Sequence, residues 1–229
     1  MTTSAIRAVA ALDDELRQGL YAYIRAARHP VTREEAAASA GISRKLAAFH
    51  LDKLVDAGLL RAWYQSTGTR KVGRTPKVYE PAAGDIAVTI PQRQHDVLAG
   101  ILLDAVLTEG DGENARQAAL RVAAERGEEV GTAERDRLRP GRLGPERALT
   151  LAEGVLTRYG FEPSRETPTR VRLRNCPFHP LTARAPELVC GMNQAFLSGF
   201  LSGLDAPCLD AALDPRAGEC CVELHPAGS

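Results

Sequence analysis

The residues of this chain best suited to chemistry are its five cysteines, which all lie within the last 54 of its 229 residues. Thiolates bind soft metal ions and iron–sulfur clusters. Thirteen residues separate Cys176 from Cys190, and twenty-nine separate Cys190 from the adjacent pair Cys220-Cys221. No C-x₂-C pair of the kind found in zinc ribbons and fingers is present. Such scattered ligands need a folded domain to bring three thiolates together.

The elements around these cysteines predict how that convergence arises. Alternation over 170–176 predicts a strand with Val171 and Leu173 on one face, and Cys176 lies near its end. A helix is predicted over 185–204, with Cys190 near its start, where the helix dipole favours a thiolate. A second strand is predicted from 219 onward, and pairing it with the first would bring its cysteines beside Cys176. The other face of the first strand carries Arg170, Arg172 and Arg174.

The fourth ligand stays open at this point. The candidates are His179, Cys208, the second member of the Cys220-Cys221 pair, or an external small molecule. Neighbours in a strand face opposite sides, so one member of the pair should ligate and the other should pack; Cys220 is favoured. Cys208 lies in a predicted loop and is left outside the main ligand set. Zinc, a thiol–disulfide switch and purely structural cysteines are the alternatives to a cluster.

Charge and composition favour a different task for the first part of the chain. Residues 1–80 hold 13 Lys and Arg against 8 Asp and Glu, whereas the remainder holds 16 against 21. A basic module of this kind can neutralise phosphates. No apolar stretch is long enough for a transmembrane helix, and the N-terminus does not read as a secretory signal. We therefore expect a cytoplasmic protein, in a compartment where thiols stay reduced.

Helix signals organise the basic part. A helix is predicted over 13–28, ended by His29-Pro30, and the Thr32 and Glu35 pair forms a capping-box pattern for a second, short helix. Gly41 closes that helix and Ser43 caps a third over 44–58. The predicted buried stripe of the third helix consists of Leu46, Leu51, Leu54 and Val55.

The third helix is the element expected to enter a DNA major groove, since its first turn is basic. Two strands follow, joined by a glycine-rich basic turn, and they predict a wing. The candidate DNA-binding residues on helix and wing are Ser43, Arg44, Lys45, Ala48, Phe49, Lys53, Arg70, Lys71, Arg74 and Lys77.

The expected fold class is mainly α with small β elements (α+β). We assign residues 1–82 to a winged helix-turn-helix DNA-binding domain, 83–108 to a linker and dimerisation helix, and 109–229 to an α+β sensor domain. The helix in the linker is equally well interpreted as an ordinary core helix. A loop is predicted over 135–144. An enzyme with Cys176 as nucleophile and His179 as base is not favoured, because no oriented third partner accompanies them.

The stretch from about 12 to 82 resembles the winged helix-turn-helix of ArsR-like repressors, on AAASAGISRKLAAFHLDKLVDAGLL and GRTPKVYEPA. The two-cysteine metal pattern of that family's third helix is absent. Farther on, NCPFHPL, ELVCGMNQAFLSGFLSGL and GECCVEL resemble the C-terminal signature of the branch that includes the Suf-operon repressors. The four-cysteine spacing of cyanobacterial members is not obviously reproduced.

This resemblance implies a homodimeric transcriptional repressor that binds a palindromic double-stranded DNA operator. It also implies a [4Fe–4S] cluster whose presence maintains repression of iron–sulfur assembly genes. Matched by motif, Cys176, Cys190 and one of Cys220 and Cys221 are the implied ligands. We expect no catalytic activity and no membrane partner.

Overall fold

The computed structural model describes residues 2–65 and 75–228 and has an α+β fold of helices and two small antiparallel sheets. The chain divides into two compact units, Met1–Val88 and Thr89–Ser229. The division places the helix at 95–107 with the second unit, whereas the sequence suggested a separate segment over 83–108. None of the helices in the described ranges combines the length and apolar character that a bilayer crossing requires.

The first unit is built from four helices and a three-stranded sheet among its described residues. Its helices are α1 (Thr2–Ala11), α2 (Glu15–Ala26), α3 (Arg33–Ser39) and α4 (Arg44–Asp56), and its strands are β1 (Val31–Thr32), β2 (Leu60–Tyr64) and β3 (Lys77–Pro81). The sheet order is β1-β3-β2. The expected caps are confirmed: Thr32 and Glu35 form a capping box, and Ser43 accepts from the Leu46 amide. The sequence analysis did not predict α1.

The predicted buried stripe of α4 is partly wrong. Leu51 and Leu54 are buried, but Leu46 is 41% exposed, and Ala47 and His50 take the inward positions instead. Adjacent residues lie about 100° apart around a helix. The prediction chose Leu46 because it is the larger apolar residue. The inward position is one residue later and is occupied by the small Ala47.

The second unit packs helices against a four-stranded sheet. Its helices are α5 (His95–Leu107), α6 (Ala115–Leu138), α7 (Pro145–Arg158), α8 (Leu181–Arg184) and α9 (Pro186–Gly203). Its strands are β4 (Pro163–Thr167), β5 (Arg170–Leu173), β6 (Leu209–Leu213) and β7 (Val222–Pro226), in the order β4-β5-β7-β6. The loop expected over 135–144 begins only after Leu138, since α6 continues to that residue. The strand β6 replaces the loop predicted around Cys208.

The helices α6 and α9 form the centre of the second unit through glycine contacts. A side chain at Gly127 or Gly131 would collide with the α9 backbone near Phe196 and Phe200, and one at Gly199 or Gly203 would collide with the α6 backbone. The absence of side chains at these positions lets the two helices run side by side in the same direction at very short distance. This seam fixes α9, the helix that carries Cys190.

Candidate functional site

The pairing of β5 with β7 brings Cys176 and Cys220 together. Arg172 lies opposite Glu223 in the antiparallel register, and the Cys220 amide donates to the Leu173 carbonyl at 2.8 Å. Cys176 follows the end of β5, so it adjoins the start of β7. The Cys176 and Cys220 thiols interact directly, as expected from the predicted pairing of these strands.

Cys190 and Cys221 complete a group of four neighbouring thiols. The Cys221 thiol interacts with that of Cys190 on one side and with that of Cys220 on the other. Cys190 also lies within electrostatic reach of Cys176 and Cys220. The chain therefore gathers thiols from the turn after β5, from α9 and from the segment before β7.

The expectation that only one of Cys220 and Cys221 faces the site assumed that both lie within a strand. The observed strand begins after them. The strand β7 starts at Val222, and Cys221 lies in a bend before it. Side-chain alternation does not apply to a bend, which is why both thiols can interact with other cysteines of the group. The sequence pattern placed the start of the strand three residues too early.

Cys208 lies at the other end of the sheet. Its carbonyl accepts from the Ala227 amide at 3.0 Å, and its sulfur lies 3.6 Å from the Leu143 carbonyl. Six residues of β7 and its flanks lie between Cys220 and Ala227, and the seven steps from one to the other span about 23 Å at roughly 3.3 Å per residue. Cys208 is therefore remote from the other four cysteines and is not the fourth ligand.

His179 is exposed and turns its backbone toward the site. Its amide and that of Phe178 approach the Cys176 sulfur, and its carbonyl accepts from His95 Nε2 at 3.1 Å. These interactions are made by the main chain of His179. Cys221, whose thiol interacts with two others of the group, is a better candidate than His179 for the fourth ligand.

The surroundings raise the pKa of three of the four thiols, which favours their protonated forms. Interaction with Cys220, followed by burial, raises the pKa of Cys176 far above its ordinary value. The pKa of Cys220 is lowered by Cys176 but raised by Cys221 and by burial, and the net result is about 11. Burial raises the pKa of Cys190, whose position in the second turn of α9 removes it from the amides of the first turn. The raised pKa of Cys190 opposes the thiolate expected from its place near the start of the helix.

The donor set fits a thiophilic metal or an iron–sulfur cluster, which Cys thiolates hold. Within residues 2–65 and 75–228, no three Cys, His, Asp or Glu side chains are grouped closely enough to hold a metal ion as they stand. The thiols instead form a chain of neighbours, from Cys176 through Cys220 and Cys221 to Cys190. Binding must displace their protons and draw the sulfurs inward, because metal–sulfur bonds are only about 2.3 Å long.

Arg172 anchors the segment that carries Cys220 and Cys221. The arginine was expected on a polar strand face, yet its side chain is only 1% exposed. Its guanidinium contacts Asp214 at 2.7 Å and both Glu219 and Glu223 at 3.1 Å, and it also donates to the Asp214 carbonyl at 2.9 Å. The Asp214 amide in turn donates to the Cys221 carbonyl at 2.8 Å. The buried Arg172 side chain therefore holds the loop that precedes Cys220 and Cys221.

Asn193 is a second residue that the sequence analysis missed. It is 1% exposed, and its amide nitrogen lies 3.1 Å from the Cys220 sulfur. It follows Cys190 by three residues in α9, which puts both on the same side of the helix. The available signal was a polar amide beside Met192 within an otherwise apolar stripe.

An open cavity of about 330 Å³ reaches the site from the side of α9. Cys190 is the one cysteine among its lining residues, and Arg116 and Glu187 stand at the same cavity with their charged groups 3.7 Å apart. Cys220, by contrast, is fully buried. Through this cavity, small solutes can reach Cys190.

The outer face of α4 carries most of the DNA-binding candidates. Ser43, Arg44, Lys45, Phe49 and Lys53 are exposed, and Ala48 is half-buried. Phe49 is 55% exposed, and the Lys53 ammonium lies 5.8 Å from its ring centre. Arg44 forms a solvent-exposed pair with Glu34 at 2.9 Å.

Lys77 has a structural partner within its own unit. Its ammonium lies 2.7 Å from Asp52 of α4, and this hydrogen bond raises the pKa of Lys77. The lysine therefore links β3 to α4. The other wing candidates, Arg70, Lys71 and Arg74, lie outside the described residues.

Comparisons with protein-family models and with curated proteins identify no relative of this chain. No protein-family model matches it, and no curated protein matches it. The functional argument therefore depends on the residues themselves.

Proposed function

We propose that this protein is a DNA-binding transcriptional repressor with a cysteine-held sensor site, and not an enzyme. The observation that carries the sensor proposal is the gathering of four thiols from separate parts of the sequence into one group of interacting neighbours, Cys176, Cys190, Cys220 and Cys221. A cytoplasmic setting would keep these thiols reduced and available.

We propose a [4Fe–4S] cluster as the resident group, held by these four cysteines. When bound, it would supply a redox-sensitive and oxidant-sensitive centre. The chain's own residues bind and orient it: Arg172 holds the Cys220-Cys221 segment, the α6–α9 seam holds Cys190, and the turn after β5 holds Cys176. Occupancy would thus join three otherwise separate segments, and its loss would release them.

The DNA-binding part of the proposal is supported by the first unit. We interpret α3 and α4 as a helix-turn-helix and β2 with β3 as the strands of a wing, so that α4 enters the major groove. The exposed Lys45, Phe49 and Lys53 present charge for phosphates and an apolar ring for thymine methyl groups. The excess of basic residues before position 80 supports the same assignment.

We propose a homodimer that reads a palindromic operator, formed through the outer face of α5. The inner face of α5 packs into the core through Leu98, Ile101 and Ala105. The outer face leaves apolar side chains in solvent, with Leu103 60% exposed and both Val106 and Leu107 71% exposed. Exposed apolar surface of this kind is typical of interaction sites.

Sedimentation tests the dimer. The change Val106→Glu should give a monomer with an unchanged unfolding midpoint, since the residue makes little contact within its own chain. Thr157→Glu, which adds the same charge at an exposed position of α7, should leave the dimer intact. Wild-type protein that stays monomeric at micromolar concentration would exclude this interface.

Anaerobic purification tests the sensor. Brown protein that contains iron and acid-labile sulfide supports the cluster, and combined Cys176→Ser, Cys190→Ser and Cys220→Ser changes should abolish both colour and operator affinity. Unchanged operator affinity in the triple variant would refute the sensing role.

A thiol–disulfide switch is the second candidate, because the thiols interact in pairs, Cys176 with Cys220 and Cys190 with Cys221. Colourless, iron-free protein whose operator affinity depends on thiol oxidation would favour it. Colourless protein that contains zinc would instead indicate a zinc site.

A further inference from the structure

Asn193 of α9 is an anomaly in the packing of the second unit. Its neighbours on the buried stripe, Met192, Phe196 and Leu197, are apolar, and its own side chain is 1% exposed. The amide nitrogen contacts the Cys220 sulfur at 3.1 Å, whereas the amide oxygen Oδ1 is buried and has no hydrogen-bond partner among the residues that the structure describes.

This arrangement is unfavourable for a fold that holds only thiols. A buried acceptor without a partner loses the hydrogen bonds it makes to water in the unfolded chain. A neutral thiol is also a weak acceptor for the amide N–H. A leucine of similar size would fill the position at lower cost, so stability alone does not account for Asn193.

The contact becomes more favourable once the sulfur binds a metal. A metal-bound sulfur carries more negative charge than a thiol, and hydrogen bonds to charged acceptors are roughly twice as strong as neutral ones. The Asn193 amide therefore stabilises the bound state of Cys220 more than its free state. Residues of this kind around a metal site orient its ligands and tune their affinity.

We propose that Asn193 is a positioning residue that holds the Cys220 sulfur as a metal ligand through its amide N–H. The inference rests on the proposed function, because it requires the cysteine group to bind a thiophilic metal. It assigns Asn193 to binding and not to folding.

The two roles make opposite predictions for Asn193→Leu. If the amide serves the fold, the variant loses stability without metal. If it serves the metal-bound sulfur, the metal-free variant melts at or above the wild-type temperature, while metal affinity falls. Gln194→Leu is the matched control, since Gln194 is the next residue of α9 and its amide donates to the Ala211 carbonyl at 3.2 Å.

The experiment titrates the reduced, metal-free full-length protein with Co²⁺ under anaerobic conditions, against a competing chelator. The sulfur-to-cobalt absorption band reports ligation by cysteine. We expect Asn193→Leu to weaken Co²⁺ binding roughly 10- to 100-fold, as is usual for residues that support a ligand. The Co²⁺ affinity of Gln194→Leu should stay within about threefold of that of the wild type. Asn193→Asp keeps the shape but removes the donor and should weaken binding at least as much.

The outcomes separate the two proposals. Asn193 variants that bind Co²⁺ as tightly as Gln194→Leu, while the wild type shows the sulfur band, overturn the role of Asn193 and leave the cysteine site intact. A wild type that shows no sulfur band overturns the metal site and the inference with it, whereas an unchanged band after Cys220→Ser overturns the inference alone, because the other cysteines then bind the metal without Cys220. If Asn193→Leu fails to fold, Asn193→Asp alone decides by the same comparison.

Discussion

Removing the charge of Arg172 should destabilise the second unit more than any exposed ion pair could. The change Arg172→Met keeps the length of the side chain and deletes its guanidinium. Three carboxylates then lose their shared partner: Asp214, Glu219 and Glu223. Glu223 suffers most, because its side chain is only 8% exposed, and Arg170 at 3.7 Å is its remaining cationic neighbour among the described residues.

The magnitude follows from burial. Breaking a buried, hydrogen-bonded ion pair by removing one partner costs about 3–5 kcal/mol, since the other charge stays buried without compensation. With a urea dependence of about 2 kcal/mol per molar, the unfolding midpoint should fall by roughly 2 M. Arg126→Met is the control: its pair with Asp104 at 2.9 Å is 46% and 42% exposed, and such pairs contribute only about 0.2–1 kcal/mol.

The assay is urea unfolding of the reduced, metal-free protein, followed by circular dichroism. Adding Glu223→Gln to Arg172→Met should recover part of the lost stability, because the double variant no longer buries an unpaired carboxylate. If Arg172→Met shifts the midpoint no more than Arg126→Met does, the carboxylates are solvated in solution and the proposed anchoring of the cysteine segment is refuted.

Three further outcomes are expected. First, the folded-state pKa of Cys220 is raised to about 11 from an ordinary 9.0, so its contribution to metal-free stability is fully present below pH 9 and is lost as the pH rises through 11. Between about pH 8 and 10.5 the free energy of unfolding from urea titrations should fall by about 2 kcal/mol, and Cys220→Ala should reduce this fall. The same fall in stability in the variant would contradict the assignment. Second, Gly131→Ala should cost about 1–3 kcal/mol or more, because the new methyl group meets the backbone at Phe200. Gly154→Ala, in open space on α7, should instead raise stability by roughly 0.5–1 kcal/mol, and similar unfolding midpoints for the two variants would argue against the tight helix seam. Third, Lys45→Ala should reduce the salt dependence of DNA binding by about one unit of slope if it contacts a phosphate. Arg142→Ala, an exposed change in the second unit, should not alter that slope, and anisotropy titrations at several salt concentrations measure both.

Local signals predicted the helical elements well. These signals act within one or two turns of helix, so residues close in sequence are enough to predict them. They are the cap at Ser43, the capping box of Thr32 and Glu35, and the apolar repeat around Phe196. The ends of helices and strands and their buried faces were predicted less accurately. Leu46 was misplaced because a short alanine took the inward position, and α6 runs past its expected end because the last turn is held by pairs such as Arg137 with Glu134.

By itself, the sequence determined which residues carry reactive sulfur, that three separate segments must meet for them to act together, and that β5 and β7 are strands able to do this. Only the tertiary structure decided that Cys221 joins the group, that Cys208 is excluded, and that Arg172 and Asn193 support it. The reason is physical: register, burial and side-chain contact depend on residues dozens of positions apart. A strand that begins three residues later than its local pattern indicates leaves both Cys220 and Cys221 free to join the site, and no local pattern predicts that.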